Sequence, residues 1–270
     1  MPFEPPPQLL QGLLQVLNCN LQAFLATHPV FRLDEFAQAR SAPQLLTAAR
    51  NQLKHHLRRG RVKRVARSVY AAVPFGHSAA AYQPDPLLVA LAIRPEGIFS
   101  HHTALELLGA GHSVWQATTL WCDRPAPTCA LGSHQLRFLD HPTALRRKGR
   151  TELGLRQGER QGRRMRFAGP ERTLAEGLRQ PRWVGGLEEL LAGVSGFAVL
   201  DLGLLDDVLA AYGQHLVWAA VGWILERERE RLDVPDQYLT HQEGDRGLGR
   251  ARLAQPRGGQ HRLFRFRGSY

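Results

Sequence analysis

The chain has few cysteines, few lysines and no long apolar segment. Its 270 residues include three cysteines, an odd and sparse set that does not suit a disulfide framework and is typical of free thiols in a reducing cytoplasm. No apolar run approaches the roughly 20 residues that cross a bilayer. The start, MPFEPPPQLL, lacks the basic and apolar regions of a secretory signal. These absences predict a cytoplasmic protein without a membrane segment.

The sequence signatures of common enzyme classes are also missing. There is no GxxxxGK[ST] loop for nucleoside triphosphates and no dinucleotide-type glycine turn. Ser100, beside His101 and His102, lacks the flanking glycines of a nucleophile elbow. Cys122 and Cys129 are too far apart for a CxxC zinc site, and no lysine follows an acidic cluster as in Mg²⁺-dependent nucleases. The sequence therefore predicts a protein that is not an enzyme, with no cofactor and no metal.

Positive charge, in contrast, is in excess. The net charge is +11 and the pI is near 10.5, which favours nucleic acid or another anionic surface as a partner. Residues 1–75 hold ten cations and three acids, and residues 146–166 hold nine and two, so each segment is at +7. The tail from Gly244 is at +6, whereas residues 167–243 hold six cations and thirteen acids, or −7. This segmentation predicts separate binding surfaces.

Three helices are predicted in the first sixty residues. Apolar residues at helical spacing indicate a first helix that ends before Pro29, and residues 33–40 form a short second one. Ser41 is the predicted N-cap of a third helix, which ends at Gly60. On this third helix an apolar stripe is expected to face the core, and it consists of Leu46, Ala49, Leu53 and Leu57.

The opposite face of the third helix carries cations and amides, which suit phosphates and base edges. After Gly60, the segment RVKRVARSVYAAVP predicts two basic strands around a turn near Ser68. Three helices and such a hairpin predict a winged helix-turn-helix with the hairpin as the wing. The expected DNA contacts are Gln44, Thr47, Arg50, Asn51, Lys54, His55, Arg58, Arg59, Arg61, Lys63, Arg64 and Arg67.

An ordinary solvated helix face is the competing interpretation of this basic stretch. Solvated faces usually mix the two signs of charge. Between Arg50 and Arg67 there are eight cations and no acid. The charge pattern therefore favours a polyanionic partner, and double-stranded DNA is the one that fits a winged helix.

The rest of the chain predicts a second domain, residues 76–270, after a DNA-binding domain in residues 1–75. Apolar helices, three strands and a run of C-terminal helices indicate an α+β fold, in which a larger mixed domain ends in a helical bundle and a short strand near residues 261–267. A second basic surface is expected there, for RNA or for an acidic partner surface, although it could be only an exposed hairpin. Its residues are Arg146, Arg147, Lys148, Arg150, Arg163 and Arg164.

Four motifs carry a family resemblance over nearly the whole chain. They are FLATHPVFRLDEFAQA, LKHHLRRGRVKRVARSVYAAVP, DPLLVALAIRPEGIFSHHTALELLGAG and PERTLAEGLRQPRWVGGLEELLAGV. In this order they resemble the AbiEi family, antitoxins of type IV toxin–antitoxin systems. Ser68 stands where such proteins often carry glycine before the Val-Tyr of the second wing strand, which predicts a different turn type.

The resemblance implies a DNA-binding antitoxin and transcriptional autorepressor in phage defence. Its partners would be operator DNA with inverted repeats, bound as a homodimer, and a nucleotidyltransferase toxin encoded beside it. The alternatives are a solitary winged-helix regulator, whose second domain senses a ligand or mediates oligomerisation, and a winged-helix nuclease. Neighbouring genes separate the first two, and Mg²⁺-dependent DNA cleavage would indicate the third.

Overall fold

The computed structural model describes residues 21–39 and 46–239. Over this part the fold is mixed α+β, with a three-stranded and a six-stranded sheet. None of the helices in these two ranges is long and apolar enough to span a membrane. The expected strand near residues 261–267, the cap Ser41 and the start of the first helix lie outside the described residues.

The N-terminal part alternates short helices with a small sheet. Strand β1 pairs antiparallel with β3, and β3 pairs antiparallel with β2, so the order is β1-β3-β2. The three-residue β1 was not predicted, because it lies between two helices and is too short to show alternation. The elements are α1 (residues 21–27), β1 (Val30–Arg32), α2 (Leu33–Gln38), α3 (Leu46–Arg58), β2 (Val62–Ala66) and β3 (Val69–Ala72).

The middle of the chain builds the six-stranded sheet, whose order is β6-β7-β5-β4-β9-β8. The pairs β5–β7 and β4–β9 are parallel and the other three are antiparallel. The elements are α4 (Pro86–Ile93), β4 (Ile98–Phe99), α5 (His101–Leu107), β5 (Ala117–Cys122), β6 (Cys129–Leu131), β7 (His134–Asp140), α6 (Thr143–Arg147), β8 (Leu155–Arg160) and β9 (Arg163–Ala168).

Helices follow the second sheet. They are α7 (Pro170–Arg179), a 3-10 turn (Pro181–Trp183), α8 (Leu187–Ser195), α9 (Leu202–Tyr212), α10 (His215–Arg227) and a helical turn at residues 236–239. Helix α10 ends at Arg227. Residues 228–233 are turns, and Arg231 donates to the carbonyls of Val194 and Phe197 instead of continuing the helix.

Three apolar clusters hold these elements together. The first lies under α1, α2 and α3 and is rich in aromatic rings, such as Phe31 and Phe36. The third joins the helices from α7 to α10. The second lies between α4 and the six-stranded sheet, and it also includes Val30, Val69 and Ala71 from the small sheet. Apolar packing therefore crosses the predicted boundary at residue 75.

A buried ion pair lies between the six-stranded sheet and the helices. The Glu176 carboxylate on α7 is fully enclosed and accepts hydrogen bonds from three side chains. Arg172 Nε donates at 2.8 Å, the Tyr212 hydroxyl at 2.6 Å, and Trp121 Nε1 lies 3.0 Å from both oxygens. Because a buried charge is costly unless it is paired and hydrogen-bonded, these contacts fix α7 against both β5 and α9.

The network also shifts the ionisation of its members. Burial by itself raises the pKa of Glu176, but Arg172 and the hydrogen bonds outweigh it and leave that pKa lowered. Burial and the Glu176 charge raise the pKa of Tyr212 well above its usual value. The ring of His101 lies 4.9 Å from the ring of Trp121, and burial lowers the pKa of this histidine. Near neutral pH the network therefore holds one carboxylate, one guanidinium, a neutral phenol and a neutral imidazole.

Candidate nucleic-acid interface

Helix α3 buries one side and leaves the other exposed. Ala49, Leu53 and His56 are its buried residues, and they follow the i, i+4, i+7 spacing of one helix face. The prediction that Leu46 belongs to the core stripe was wrong, because 45% of its surface is exposed at the first turn. On the opposite side the predicted contact residues are all exposed, and these are Thr47, Arg50, Asn51, Lys54, His55 and Arg58.

The cations of this face have no acidic partners. Within residues 21–39 and 46–239 no Asp or Glu forms an ion pair with Arg50, Lys54, Arg58, Arg59 or Arg61. Like charges this close repel one another, which costs folding free energy. A polyanion on this face would remove that repulsion.

The β2–β3 hairpin extends the basic surface, although one of its cations is occupied. Lys63 is half-buried and its Nζ donates to the carbonyl of Tyr82 at 2.9 Å. Arg64 and Arg67 are exposed, and Ser68 has a φ of 60° at the hairpin turn. Ser68 thus takes the left-handed conformation that glycine adopts most readily. Gln44, another predicted contact, lies outside the described residues.

The second predicted basic surface is built differently. Arg146 forms an ion pair with Asp140 at 3.5 Å, and Arg150 lies 3.9 Å from Asp207. Lys148 Nζ donates at 2.9 Å to the carbonyls of residues 210 and 211, at the C-terminal end of α9, where a cation also complements the helix dipole. These cations therefore hold α6 and its flanking loop against neighbouring elements.

Arg163 links the β8–β9 hairpin to the N-terminal part. Its two terminal nitrogens donate to the carboxylate of Glu35 on α2 at 2.6 and 2.7 Å, and one also reaches the carbonyl of Val30 at 3.3 Å. Burial raises the pKa of Glu35, but Arg163 and the Arg32 backbone N–H outweigh it, so the pKa is lowered. Sequence reasoning missed this pair because its members are 128 positions apart.

Two members of the second surface remain without a partner. Arg147 and Arg164 are exposed, and neither side chain forms an ion pair or hydrogen bond with any residue that the structure describes. They lie on different elements, at the end of α6 and on β9. The block is thus mainly structural, with two isolated free cations.

The Ser100-His101 pair is enclosed. Ser100 Oγ lies 3.0 Å from His101 Nδ1, and His101 Nε2 lies 3.1 Å from Gln180 Oε1. Ser100 occupies the N-cap position of α5, but its side chain makes no capping hydrogen bond. Both residues are completely buried, and their side chains form hydrogen bonds inside the fold.

The comparisons with known proteins add little. No family model matches the chain, and no curated protein gives a significant match. Among solved structures, the chain is similar to the crystal structure of the RV2827C protein from Mycobacterium tuberculosis, with a TM-score of 0.46 and 16% identity over 73% of this chain and 71% of that one. A likeness at this level bears on neither function nor partners.

Proposed function

We propose that this chain is a winged-helix DNA-binding protein that represses transcription. The proposal is supported by the element order α1-β1-α2-α3-β2-β3, with β1 paired to β3, because winged-helix domains typically have this order. In this arrangement α3 is the recognition helix and the β2–β3 hairpin is the wing. Its partner is double-stranded operator DNA, bound by a homodimer on inverted repeats.

The unpaired cations of α3 are the observation that carries the proposal. Arg50, Lys54 and Arg58 follow the i, i+4, i+8 spacing, so they lie along one ridge of the helix. Asn51 is exposed beside them and offers an amide that can pair with adenine. Cations in a row supply phosphate contacts and the amide supplies base discrimination. This combination suits sequence-specific binding in a major groove.

The role beyond DNA binding rests on the family resemblance. By that resemblance the chain is the antitoxin and autorepressor of a type IV toxin–antitoxin operon, it counteracts a nucleotidyltransferase toxin, and it works in the cytoplasm without catalysis or a cofactor. The acidic helical region fits a protein partner better than DNA, because residues 186–239 hold ten acids and three cations. A solitary regulator remains the alternative function.

DNA binding is tested with the purified chain and the DNA upstream of its own gene. We expect a specific complex whose affinity falls linearly with the logarithm of the salt concentration, with a slope of about −0.9 per phosphate contact. Electrophoretic shifts at several salt concentrations measure the affinity and its salt slope, and an unrelated duplex is the control for specificity. Equal affinity for the two duplexes would contradict operator recognition.

The antitoxin role is tested in cells that express the product of the adjacent gene. The wild-type chain should restore growth, and a variant with Asn51, Lys54 and Arg58 changed to Ala should restore it as well while losing repression of a reporter. Matched expression of both chains is the control. If neither chain restores growth although the wild-type chain still represses the reporter, the solitary-regulator alternative is favoured.

A further inference from the structure

A phenylalanine at the edge of the basic surface is completely exposed. Phe75 follows β3, and 106% of the reference surface of this residue is accessible. It lies in the loop of residues 73–85, which joins β3 to α4. Single exposed apolar residues are common on protein surfaces, so its position and surroundings decide whether it has a role.

The loop is held in place on both sides. Tyr82 N–H donates to the Ser78 carbonyl at 2.9 Å, and Lys63 Nζ holds the Tyr82 carbonyl from β2. His77 N–H donates to the Pro74 carbonyl at 3.2 Å, which closes a turn around Phe75 and Gly76, and Gly76 has a φ of 83°. The turn therefore presents the ring from an ordered segment.

The same turn adjoins the end of α3. Val73 N–H donates to the carbonyl of Arg61 at 3.0 Å, so Phe75 is two residues from a backbone contact with the last cation of the basic face. Gly60 packs against the loop as well, because a Cβ at Gly60 would lie 3.8 Å from the Cβ of Ala79. The loop that carries Phe75 is thus joined to the residues that directly follow α3.

We propose that Phe75 is a second DNA contact, which packs its ring against deoxyribose and base edges in the minor groove next to the segment bound by α3. This inference rests on the proposed DNA-binding function. Apolar side chains are used in this way by proteins that contact the minor groove. The turn at Ser68 joins β2 to β3, whereas Phe75 follows the other end of β3, so the two contacts lie at opposite ends of the hairpin.

Other exposed apolar residues lack this setting. Leu216 on α10 is 82% exposed, but it belongs to the acidic segment of the chain and not to the basic face. It provides a matched control, since truncating either side chain removes exposed apolar surface without opening a cavity. Phe75→Ala and Leu216→Ala should therefore leave the thermal midpoint unchanged.

The test measures the affinity of the full chain for duplexes centred on its footprint. Phe75→Ala should bind a long duplex about tenfold more weakly, because the variant has no aromatic ring to bury when DNA binds. The salt slope should be unchanged, since no charge is removed. Phe75→Trp should restore the affinity, and Leu216→Ala should match the wild type. On a duplex that ends before the flanking minor groove, wild type and Phe75→Ala should bind equally.

Three results would overturn the inference. Phe75→Ala could bind the long duplex as tightly as the wild type, its deficit could persist on the short duplex, or Phe75→Trp could fail to restore binding. In each of these cases the wild-type chain still binds DNA and the proposed function stands. If the wild type binds no duplex at all, the proposed function fails, and the inference fails with it.

Discussion

Residues 1–75 and residues 146–166 each carry a net charge of +7, but their cations have different neighbours. Along α3 and into the hairpin, the described arginines are exposed and have no acidic partner, from Arg50 to Arg61. In the second block Arg146, Arg150 and Arg163 each lie beside a carboxylate. Net charge alone does not distinguish the two regions, whereas the pairing of each cation does.

The difference has a physical consequence. A cation paired with a carboxylate has already exchanged water for a protein partner, so a phosphate must displace that partner before it can bind. An unpaired, hydrated cation releases counterions when DNA arrives, and that release contributes favourably to binding. The unpaired cations of the first region are therefore better suited to an anionic ligand than the paired cations of the second.

The largest expected effect is a loss of DNA affinity when residues of α3 are changed. Changing Asn51, Lys54 and Arg58 together to Ala should weaken operator binding about a thousandfold, because each base or phosphate contact contributes roughly 1–3 kcal/mol. Electrophoretic shifts measure the loss, and circular dichroism should show an intact fold since all three side chains are exposed.

A matched triple variant in the second block is the control for this loss. Arg146, Arg150 and Arg163, which each lie beside a carboxylate, changed to Ala should lower operator affinity less than tenfold, although three cations are removed instead of two. Equal losses in the two triple variants would show that operator binding depends on net charge and not on unpaired cations.

Arg172 is a cation whose only role in the structure is to stabilise the fold, because it is fully buried and paired with Glu176. Glu176→Ala should lower the free energy of unfolding by about 3 kcal/mol or more, because it leaves Arg172 buried and uncompensated. Glu188→Ala, an exposed glutamate on α8, is the control and should change stability little. Urea unfolding at neutral pH measures both variants.

The same variant has a defined pH dependence. Since the pKa of Glu176 is lowered in the folded chain, its contribution is present above the unfolded pKa of about 4.3 and is lost as the pH falls through the folded value. The stability difference between wild type and Glu176→Ala should therefore shrink in acid. A difference that stays constant from pH 7 to pH 3 would contradict this assignment.

Local patterns in the sequence predicted several elements well. Helix α4 begins where Asp85 precedes Pro86, and the Asp85 carboxylate accepts the Leu87 N–H at 2.9 Å as an N-cap does. Helix α7 begins at Pro170, and proline is favoured at the first position of a helix. The exposed face of α3 also followed from helical periodicity. These features depend on residues within one or two turns of each other.

Features that depend on distant residues were missed. Strand β8 has no apolar alternation, and it forms because its backbone pairs with β9 at the edge of the sheet. The Arg163–Glu35 pair joins elements that only the folded chain brings together. For the same reason a basic block in the sequence could not be divided into paired and unpaired cations before its neighbours were known.

A smaller effect is expected at the link between the two regions. Arg163→Ala should lower the free energy of unfolding by about 1 kcal/mol, because its hydrogen bonds to the Glu35 carboxylate and the Val30 carbonyl are lost at a partly exposed site. Arg164→Ala, the exposed neighbour without a partner, should leave it unchanged. Urea unfolding distinguishes them, and equal stabilities would mean that the Glu35 contact contributes nothing measurable.

The smallest effect concerns the hairpin turn of the first region. Ser68 has a φ of 60°, which costs an L-residue roughly 1–2 kcal/mol. Ser68→Gly should remove most of that strain but gain freedom in the unfolded chain, so a net stabilisation of about 0.5 kcal/mol is expected. Ser133→Gly, in a turn where serine has no positive φ, should instead destabilise by a similar amount. Because Arg67 precedes Ser68, the operator affinity of Ser68→Gly should be measured as well. An unchanged affinity would mean that the conformation of Ser68 affects only stability. A lower affinity would mean that serine in this conformation positions Arg67 for DNA.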